Sequence, residues 1–267
     1  MLPLAGYAEK LSVRPGETIQ FHVSNTTGAL VDSTLVRVIC ADANPAGPGI
    51  QLTPIPCTGL TALAEPRAQA LNRGSYARVH GGDAFAKLTS WTFSATIFPT
   101  LIGDREMVVA SLLDATKSHG LALAIDREGR LKLSLAEAKA IRRIDMAAPL
   151  AVRTWVTVWA SYDATTGQGT LGVLPAARGA KLQTVPFKSD IQNALGVGTL
   201  LLGAVADGRD PFRFNGRIER PAIFNRALTA DEVQRAAGGG RVDGLVATWD
   251  FSREMHTSRI VDTGPHG

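Results

Sequence analysis

The stretch FRFNGRIERPAIFNRALTADEV, Phe212–Val233, carries the strongest fold signals in the chain. Its first half alternates apolar and polar residues, which predicts a half-buried edge strand, a turn at Asn215-Gly216 and a second strand. Pro221 lacks a backbone donor, so it fits a strand edge or a bulge better than the middle of a sheet. Further on, Thr229 and Glu232 have the spacing of a helix capping box.

A short helix is predicted directly after this capping box. Leu228 and Val233 are spaced to form a hydrophobic staple around the helix start. The glycine run that begins at Gly238 would end the helix after about two turns. The sequence predicts three short helices in total: Ala136 to Ile144, Ser189 to Leu195, and Thr229 to Ala237.

Strand patterns dominate the rest of the chain. Apolar and polar residues alternate in the runs TIQFHVS, STLVRVICAD, SWTFSATIFP and TWVTVWASYD, as in half-buried strands. The run GLALAIDREGRLKLSL predicts a hairpin with a turn that ends at Gly129. Ala41 to Pro66 is rich in proline and is interpreted as a linker with extended pieces. Many short strands with so little helix predict an all-β fold, an antiparallel sandwich or barrel.

Composition limits the class of protein. The chain has 267 residues, of which 45% are hydrophobic and 19% charged, enough for one large or two modest domains. It shows no apolar run of about 18 residues and no secretory signal, so we expect no membrane span. Cys40 and Cys57 are interpreted as reduced thiols in a bacterial-type cytoplasm. The net charge of +4 is scattered, which argues against nucleic-acid binding.

The order of the runs is that of a known architecture. The chain resembles the laminin-G-like, or concanavalin A-like, jelly roll in the succession SWTFSATIFP, VVASLLD, GLALAIDREGRLKL, TWVTVWASYDATTGQGTLGVL, LLLGAV and FNGRIERPAIFNRALTADEV. This resemblance covers about Ala68 to Phe251. It implies an antiparallel two-sheet sandwich, in which the opening stretch is the closing strand and the lid helix.

We therefore predict an all-β chain in three segments. Residues 1–66 would form a small N-terminal β unit with its proline-rich linker. Residues 67–251 would form the concanavalin A-like jelly roll. Residues 252–267 would begin a downstream element that is truncated.

The two ends of the chain carry a narrower resemblance. GYAEKLSVRPGETIQFHVSN and GLVATWDFSREMHTSRIVDTGPHG are similar to parts of the amino-terminal half of the large subunit of N,N-dimethylformamidase-like proteins. That family resemblance implies hydrolysis of small N-substituted formamides to formate and an amine. It also implies a mononuclear non-haem iron, a small partner subunit and further large subunits.

The resemblance implies that the iron ligands, two tyrosines and a glutamate, belong to a later domain. Tyr7, Tyr76 and Tyr162 are the tyrosines of this chain, and none matches a ligand motif. We therefore expect no catalytic, cofactor-binding or metal-binding residue in this chain.

Residues that could support other chemistry also have simpler structural interpretations. Asp126 and Glu128 have a spacing that a glycosidase could use, but they lie in the predicted hairpin turn. His80-Gly81-Gly82 resembles part of an oxyanion loop, although a plain β-turn also explains it, and no Gly-x-Ser-x-Gly elbow is present. Cys40 has no neighbouring histidine and is interpreted as an inert thiol.

Metal, phosphate and sugar attachment sites are equally weak in the sequence. Asp207-Gly208-Arg209-Asp210 is interpreted as a charged loop, because calcium needs six or more oxygens. Gly196-x-Gly198 precedes a strand pattern, whereas a dinucleotide needs a helix end. Asn25-Thr26-Thr27 matches a glycosylation acceptor but is interpreted as a turn. The histidines form no zinc-type pair: His22, His80, His119, His256 and His266.

Two functional classes remain open from the sequence. The first is a non-catalytic scaffold and subunit-contact region of a formamidase-like iron amidohydrolase, and the second is a free-standing lectin-like module. Sugar-binding faces usually display exposed aromatic rings, whereas aromatics make up 6% of this chain. The tryptophans all lie on strand patterns, where core packing explains them: Trp91, Trp155, Trp159 and Trp249. The sequence therefore favours the scaffold.

Overall fold

The structure of the chain is a computed structural model. It describes residues 3–10, 12–42, 44, 46–57, 75–79, 84–85, 87–113, 119–137, 140–177, 179, 181–190, 199–205, 212–255 and 257–265. The chain divides into two compact units, Met1–Asn72 and Arg73–Gly267. The predicted boundary between residues 66 and 67 lies outside the described residues, so it stays a prediction.

The first unit contains two separate two-stranded antiparallel sheets. β1 (Leu4–Ala8) pairs with β2 (Phe21–Asn25), and β3 (Val36–Ala41) pairs with β4 (Ile50–Pro54). We refer to the β3–β4 pair as the ribbon. Strand β4 lies inside the stretch interpreted as a linker with extended pieces. That part of the stretch is a paired strand, because β3 supplies its backbone partners.

The second unit is a sandwich of two antiparallel sheets around one core. The six-stranded sheet has the order β10-β9-β8-β7-β14-β5, and the seven-stranded sheet has the order β13-β12-β11-β6-β15-β16-β17. The first comprises β5 (Ala77–Val79), β7 (Met107–Leu113), β8 (Gly120–Ile125), β9 (Arg130–Glu137), β10 (Ala140–Pro149) and β14 (Thr199–Leu202). The second comprises β6 (Trp91–Pro99), β11 (Val156–Asp163), β12 (Gln168–Pro175), β13 (Gln183–Lys188), β15 (Gly216–Phe224), β16 (Leu245–Asp250) and β17 (Val261–Asp262).

The core lies between the two sheets, where alternate residues of each strand point inward. Phe93 and Ile97 of β6 and Val158 of β11 belong to the same buried cluster as Leu123 and Leu133 of the opposite sheet. The predicted hairpin is present as β8–β9, in full register from Gly120 opposite Ala136 to Ile125 opposite Leu131. The predicted all-β antiparallel sandwich is therefore confirmed.

The opening stretch of the sequence is partly as predicted. Strand β15 begins at Gly216, so Asn215-Gly216 is not a turn, and the preceding residues make a single parallel bridge between Arg213 and Val108 instead of a strand. The bulge at Pro221 is confirmed. The pairing of β15 with β6 shifts register between Glu219 and Ala222, because a proline cannot donate to the ladder.

One of the three predicted helices is confirmed. α1 (Ala230–Ala237) has Thr229 as its N-cap and the complete capping box with Glu232. The helix predicted at Ala136 to Ile144 is wrong, because its described residues belong to the paired strands β9 and β10, in which Ile144 lies opposite Leu133. The helix predicted at Ser189 to Leu195 lies largely outside the described residues.

The sheet continues past residue 251. Val261–Asp262, which the sequence analysis assigned to a downstream element, pair with β16 as β17. Thr263 extends this contact through its backbone N–H, which donates to the carbonyl of Thr248 at 2.8 Å. Within the part of the chain that the structure describes, no helix is long and apolar enough to cross a membrane.

Candidate functional site

A groove lies on the outer face of the seven-stranded sheet of the second unit. It has a volume of about 690 Å³ and is lined by β6, β11, β15 and β16, by the end of α1 and by the segment that follows α1. α1 contacts β6 and β11. The helix packs on Trp159, Phe224 and Leu228 through Val233. The groove therefore lies beside the part of the sheet that the helix covers.

Hydroxyl side chains line the floor of the groove. Because Phe93, Ala95 and Ile97 point into the core, the residues between them point outward along β6. One of these, Thr96, shares a hydrogen bond with Thr157 of β11, and their Oγ1 atoms are 3.1 Å apart.

A third hydroxyl, that of Thr248, belongs to β16. The Thr248 hydroxyl donates to the carbonyl of Pro221 at 3.1 Å. Neither this hydroxyl nor the Thr96–Thr157 pair is bonded, in these contacts, to a carboxylate or a histidine that could activate it as a nucleophile.

The bulge in β15 places a cation at the rim of the groove. Arg220 lies just before Pro221 and has a φ of 47°, in the left-handed region that non-glycine residues seldom adopt. Its Nη1 donates to the carbonyl of Ala237 at 3.2 Å, one of the last carbonyls of α1. Arg220 thus joins the bulge to the helix end, where a positive charge is favourable.

The groove carries both signs of charge. Arg220, Arg241, Asp243 and Asp250 are all part of its lining. Hydrogen bonds from the Ser252 hydroxyl and backbone N–H lower the pKa of Asp250, so this carboxyl is ionised at neutral pH. Two arginines and two aspartates balance each other, and the hydroxyls of the floor provide neutral polar contacts. The arrangement can bind a polar group, but these contacts do not assemble a nucleophile with its base.

The predicted glycosidase pair has a structural role. The backbone N–H and the Nε of Arg130 donate to the two carboxylate oxygens of Asp126, both at 2.8 Å, and Arg130 also bonds Glu128 at 3.2 Å. Burial acts to raise the pKa of Asp126, but the hydrogen bonds from Arg130 prevail and lower it. The two carboxylates therefore hold the β8–β9 turn.

Two other motifs also have a structural explanation. Asn25 is 4% exposed. Its side chain donates to the carbonyl of Ala29 at 2.7 Å and accepts the N–H of Thr27 at 2.9 Å, so it forms the predicted turn. Cys40 and Cys57 are free thiols, as the sequence analysis expected.

Two of the three tyrosines have structural contacts within the chain. Tyr162 is 3% exposed, and its hydroxyl donates to the carbonyl of Ser189 at 2.8 Å. Tyr7 lies on β1 of the first unit, where its ring stacks on His22 at 4.9 Å. Among the described residues, no group of three or more histidine, cysteine, aspartate or glutamate side chains is placed to hold a metal.

The structure also bears on the lectin-like alternative. Trp91 and Trp159 are 1% exposed and Trp249 is 5% exposed. Trp155 packs against Phe98, with the ring centroids 5.3 Å apart. Three of the four tryptophans are therefore buried and do not provide a surface on which a sugar ring could stack.

Several predicted sites lie outside the described residues. They are His80-Gly81-Gly82, Gly196-x-Gly198, Asp207-Gly208-Arg209-Asp210, His256 and His266. The groove, in turn, is not evident from the sequence. The alternation of apolar and polar residues in SWTFSATIFP predicts that Ser94 and Thr96 face outward. No sequence motif connects these two residues with Arg220 or Thr248.

Comparison with known proteins agrees with this fold. A family model described as the concanavalin A-like lectin/glucanases superfamily matches residues 71–234. The solved structure named "Ruminococcus gnavus IT-sialidase CBM40 bound to alpha2,3 sialyllactose" has 19% sequence identity and a TM-score of 0.46, over 58% of this chain and 84% of that chain.

Two curated relatives match the chain over its length. The N,N-dimethylformamidase beta subunit of Paracoccus aminophilus is 30% identical over 99% of this chain. The protein of the same name from an Alcaligenes species is 28% identical over 100% of this chain. The chain spans 38% of the length of each relative.

The resemblance found at the two ends of the sequence is thus confirmed, since the match to these beta subunits includes both ends. The jelly roll predicted from the order of strands is confirmed by the family match and by the two sheets of the sandwich. The chain belongs to the concanavalin A-like lectin/glucanases superfamily.

Proposed function

We propose that the chain is a non-catalytic scaffold and subunit-contact region of an N,N-dimethylformamidase-like enzyme. The full-length protein would be the large subunit of a hydrolase that converts N-substituted formamides to formate and an amine. The match of this whole chain to 38% of the length of two beta subunits supports this assignment. The non-haem iron would be bound by residues outside this chain.

The main observation behind this proposal is that apolar side chains of the ribbon are exposed. Val38 and Leu52 lie opposite each other on β3 and β4 and are 56% and 51% exposed. Ile39 and Ile50 on the same ribbon are 60% and 66% exposed. An isolated two-stranded ribbon is marginally stable in water, and a contiguous exposed apolar surface is typical of a protein contact.

The proposed partners are a formamidase-like small subunit and further large subunits. A protein partner fits the ribbon better than a soluble ligand does, because its exposed side chains are aliphatic and offer area but few polar groups. The free thiols of Cys40 and Cys57 support a location in the cytoplasm, where thiols stay reduced.

Binding to the small subunit tests the contact. We expect the double variant Val38→Ser/Leu52→Ser to bind the small subunit at least about tenfold more weakly, since tenfold corresponds to about 1.4 kcal/mol. The matched control is Val152→Ser/Leu182→Ser, which removes two apolar side chains of the sandwich that are 46% and 45% exposed. Equal affinities of the two double variants would refute the role of the ribbon.

Activity and metal content test the absence of catalysis. The purified chain is assayed for formate release from N,N-dimethylformamide, and its iron is measured by elemental analysis. For the chain alone, we expect neither turnover nor stoichiometric iron. For the chain extended by its downstream domain and mixed with the small subunit, we expect both. Iron with turnover in the chain alone would refute the scaffold, and saturable glycan binding without either would favour the lectin.

A further inference from the structure

The sandwich has a cleft where the edges of its two sheets end on the same side. β5 is the edge strand of the six-stranded sheet, and β17 is the edge strand of the seven-stranded sheet. Between them lie two adjoining cavities of about 670 and 240 Å³. We call them together the edge cleft. The larger cavity is within the range of about 300–1,000 Å³ that is usual for ligand pockets.

One part of the wall of the edge cleft is apolar and aromatic. Both cavities are lined by Tyr76, Leu202, Phe251 and Ile260. Tyr76 and Ile260 are each 39% exposed, so they form the accessible part of the wall, whereas Leu202 is buried in the core. A ligand with an apolar body would bury these exposed side chains, and burial of apolar surface is favourable.

Arginines surround this apolar wall. Arg78 and Arg259 belong to the lining of the larger cavity, and the guanidinium of Arg213 lies over the Tyr76 ring at 5.4 Å. Among the described residues, the guanidinium groups of Arg78 and Arg259 have no carboxylate partner. The one carboxylate in the lining, Asp262, accepts the backbone N–H groups of Thr248 at 3.3 Å and Gly264 at 2.7 Å.

We propose that the edge cleft binds a small organic carboxylate with an apolar body. The carboxylate would meet Arg78 and Arg259, because a guanidinium is well suited to bind a carboxylate through two parallel hydrogen bonds. The apolar body would lie against Tyr76, Phe251 and Ile260. This site is independent of the ribbon and of the subunit contact proposed for it.

Titration calorimetry with a matched pair of probes tests the site. The full chain is titrated with 4-phenylbutyrate and with 4-phenyl-1-butanol, which has the same apolar body and no charge. We expect saturable binding of one carboxylate per chain, at least about tenfold tighter than binding of the alcohol, since one charge-assisted hydrogen bond contributes about this factor. The affinity for the carboxylate should also fall as the salt concentration rises.

Two pairs of charge-removing variants locate the site. Arg78→Gln/Arg259→Gln should weaken carboxylate binding at least about tenfold and leave the alcohol unaffected. The control Arg142→Gln/Arg143→Gln removes the same charge from exposed positions of β10, at the opposite edge of the six-stranded sheet, and should bind as the original chain does. The proposal would be overturned by any of three results: an equal loss of carboxylate affinity in both double variants, equal affinity of the chain for the two probes, or no saturable binding. If the first pair does not fold, the probe comparison and the salt dependence still decide.

Discussion

The hairpin β8–β9 and the ribbon β3–β4 are both pairs of antiparallel strands, but they differ in burial. In the hairpin, Leu123, Leu131 and Leu133 are completely buried, because the seven-stranded sheet covers them. In the ribbon, Leu52 and Ile50 remain more than half exposed. Strand pairing alone therefore does not make a core. A second layer does. The apolar side chains of the ribbon stay exposed among the described residues, and they are the surface that we propose for the contact with another protein.

The largest effect is expected in the buried hairpin. Replacing Leu133 by alanine leaves a cavity in the core and should lower the free energy of unfolding by about 2–5 kcal/mol. Leu101→Ala is the control, because Leu101 is 59% exposed, and it should change the value by less than about 0.5 kcal/mol. Urea unfolding followed by tryptophan fluorescence measures both, since every tryptophan lies in the second unit. Similar values for the two variants would contradict the assignment of the core.

The next largest change in stability is expected on the outer face of the seven-stranded sheet, which α1 covers. A Cβ at Gly172 would overlap the six-membered ring of Trp159, which is buried under the helix. Gly172→Ala should therefore destabilise the sandwich by about 1–3 kcal/mol. Gly103→Ala adds the same methyl group where no atom lies within 4 Å, and no loss is expected there. A neutral Gly172→Ala would mean that Trp159 does not lie against β12.

A smaller effect is expected from the ion pair that fastens α1. Nη1 and Nη2 of Arg226 donate to the two carboxylate oxygens of Glu232 at 3.0 and 2.7 Å. Glu232 also accepts the N–H of Thr229 at 2.9 Å. Glu232→Gln should cost about 1 kcal/mol at pH 7, measured by urea unfolding. Glu219→Gln is the control, because Glu219 is exposed and its nearest charged contact, to Arg220, is 3.7 Å long.

The same glutamate predicts a dependence on pH. The hydrogen bonds from Arg226, and then that from the Thr229 backbone, lower the pKa of Glu232 from 4.5 to about 2. A carboxyl whose pKa is lowered by folding stabilises the protein above its unfolded pKa and loses this contribution as the pH falls through the folded value. The difference between Glu232→Gln and the original chain should thus be full above pH 4.5 and fade towards pH 2. A constant difference over this range would exclude the ionised pair as its cause.

The sequence predicted those parts of the fold that local chemistry determines. The capping box of Thr229 and Glu232 and the bulge at Pro221 depend on nearby residues, and both are present. The helix predicted at Ala136 to Ile144 failed because Ala136 and Ile144 fit a helical period locally, whereas pairing between β9 and β10 decides their conformation.

The candidate sites were less accessible to sequence reasoning. The groove unites Thr96, Thr157, Arg220 and Thr248, and the edge cleft unites Arg78 with Arg259. These residues are far apart in the chain and become neighbours only when strands that are distant in sequence pair in one sheet. No spacing rule could connect them, since strand order, unlike a helix cap, is set by the packing of the whole sandwich.

The smallest effect on stability is expected in the ribbon, because its apolar side chains are exposed, whereas Leu133 is buried. Ile50→Ser/Leu52→Ser removes two apolar side chains that are 66% and 51% exposed, so less burial is lost than at a core position, and the stability of the isolated chain should change by less than about 0.5 kcal/mol. Hydrogen exchange of the β3 and β4 amides measures this directly, because these strands contain no tryptophan. Unchanged protection is expected. A clear loss of protection would show that Ile50 and Leu52 are covered within the chain itself, and the ribbon would then resemble the hairpin instead of a contact surface.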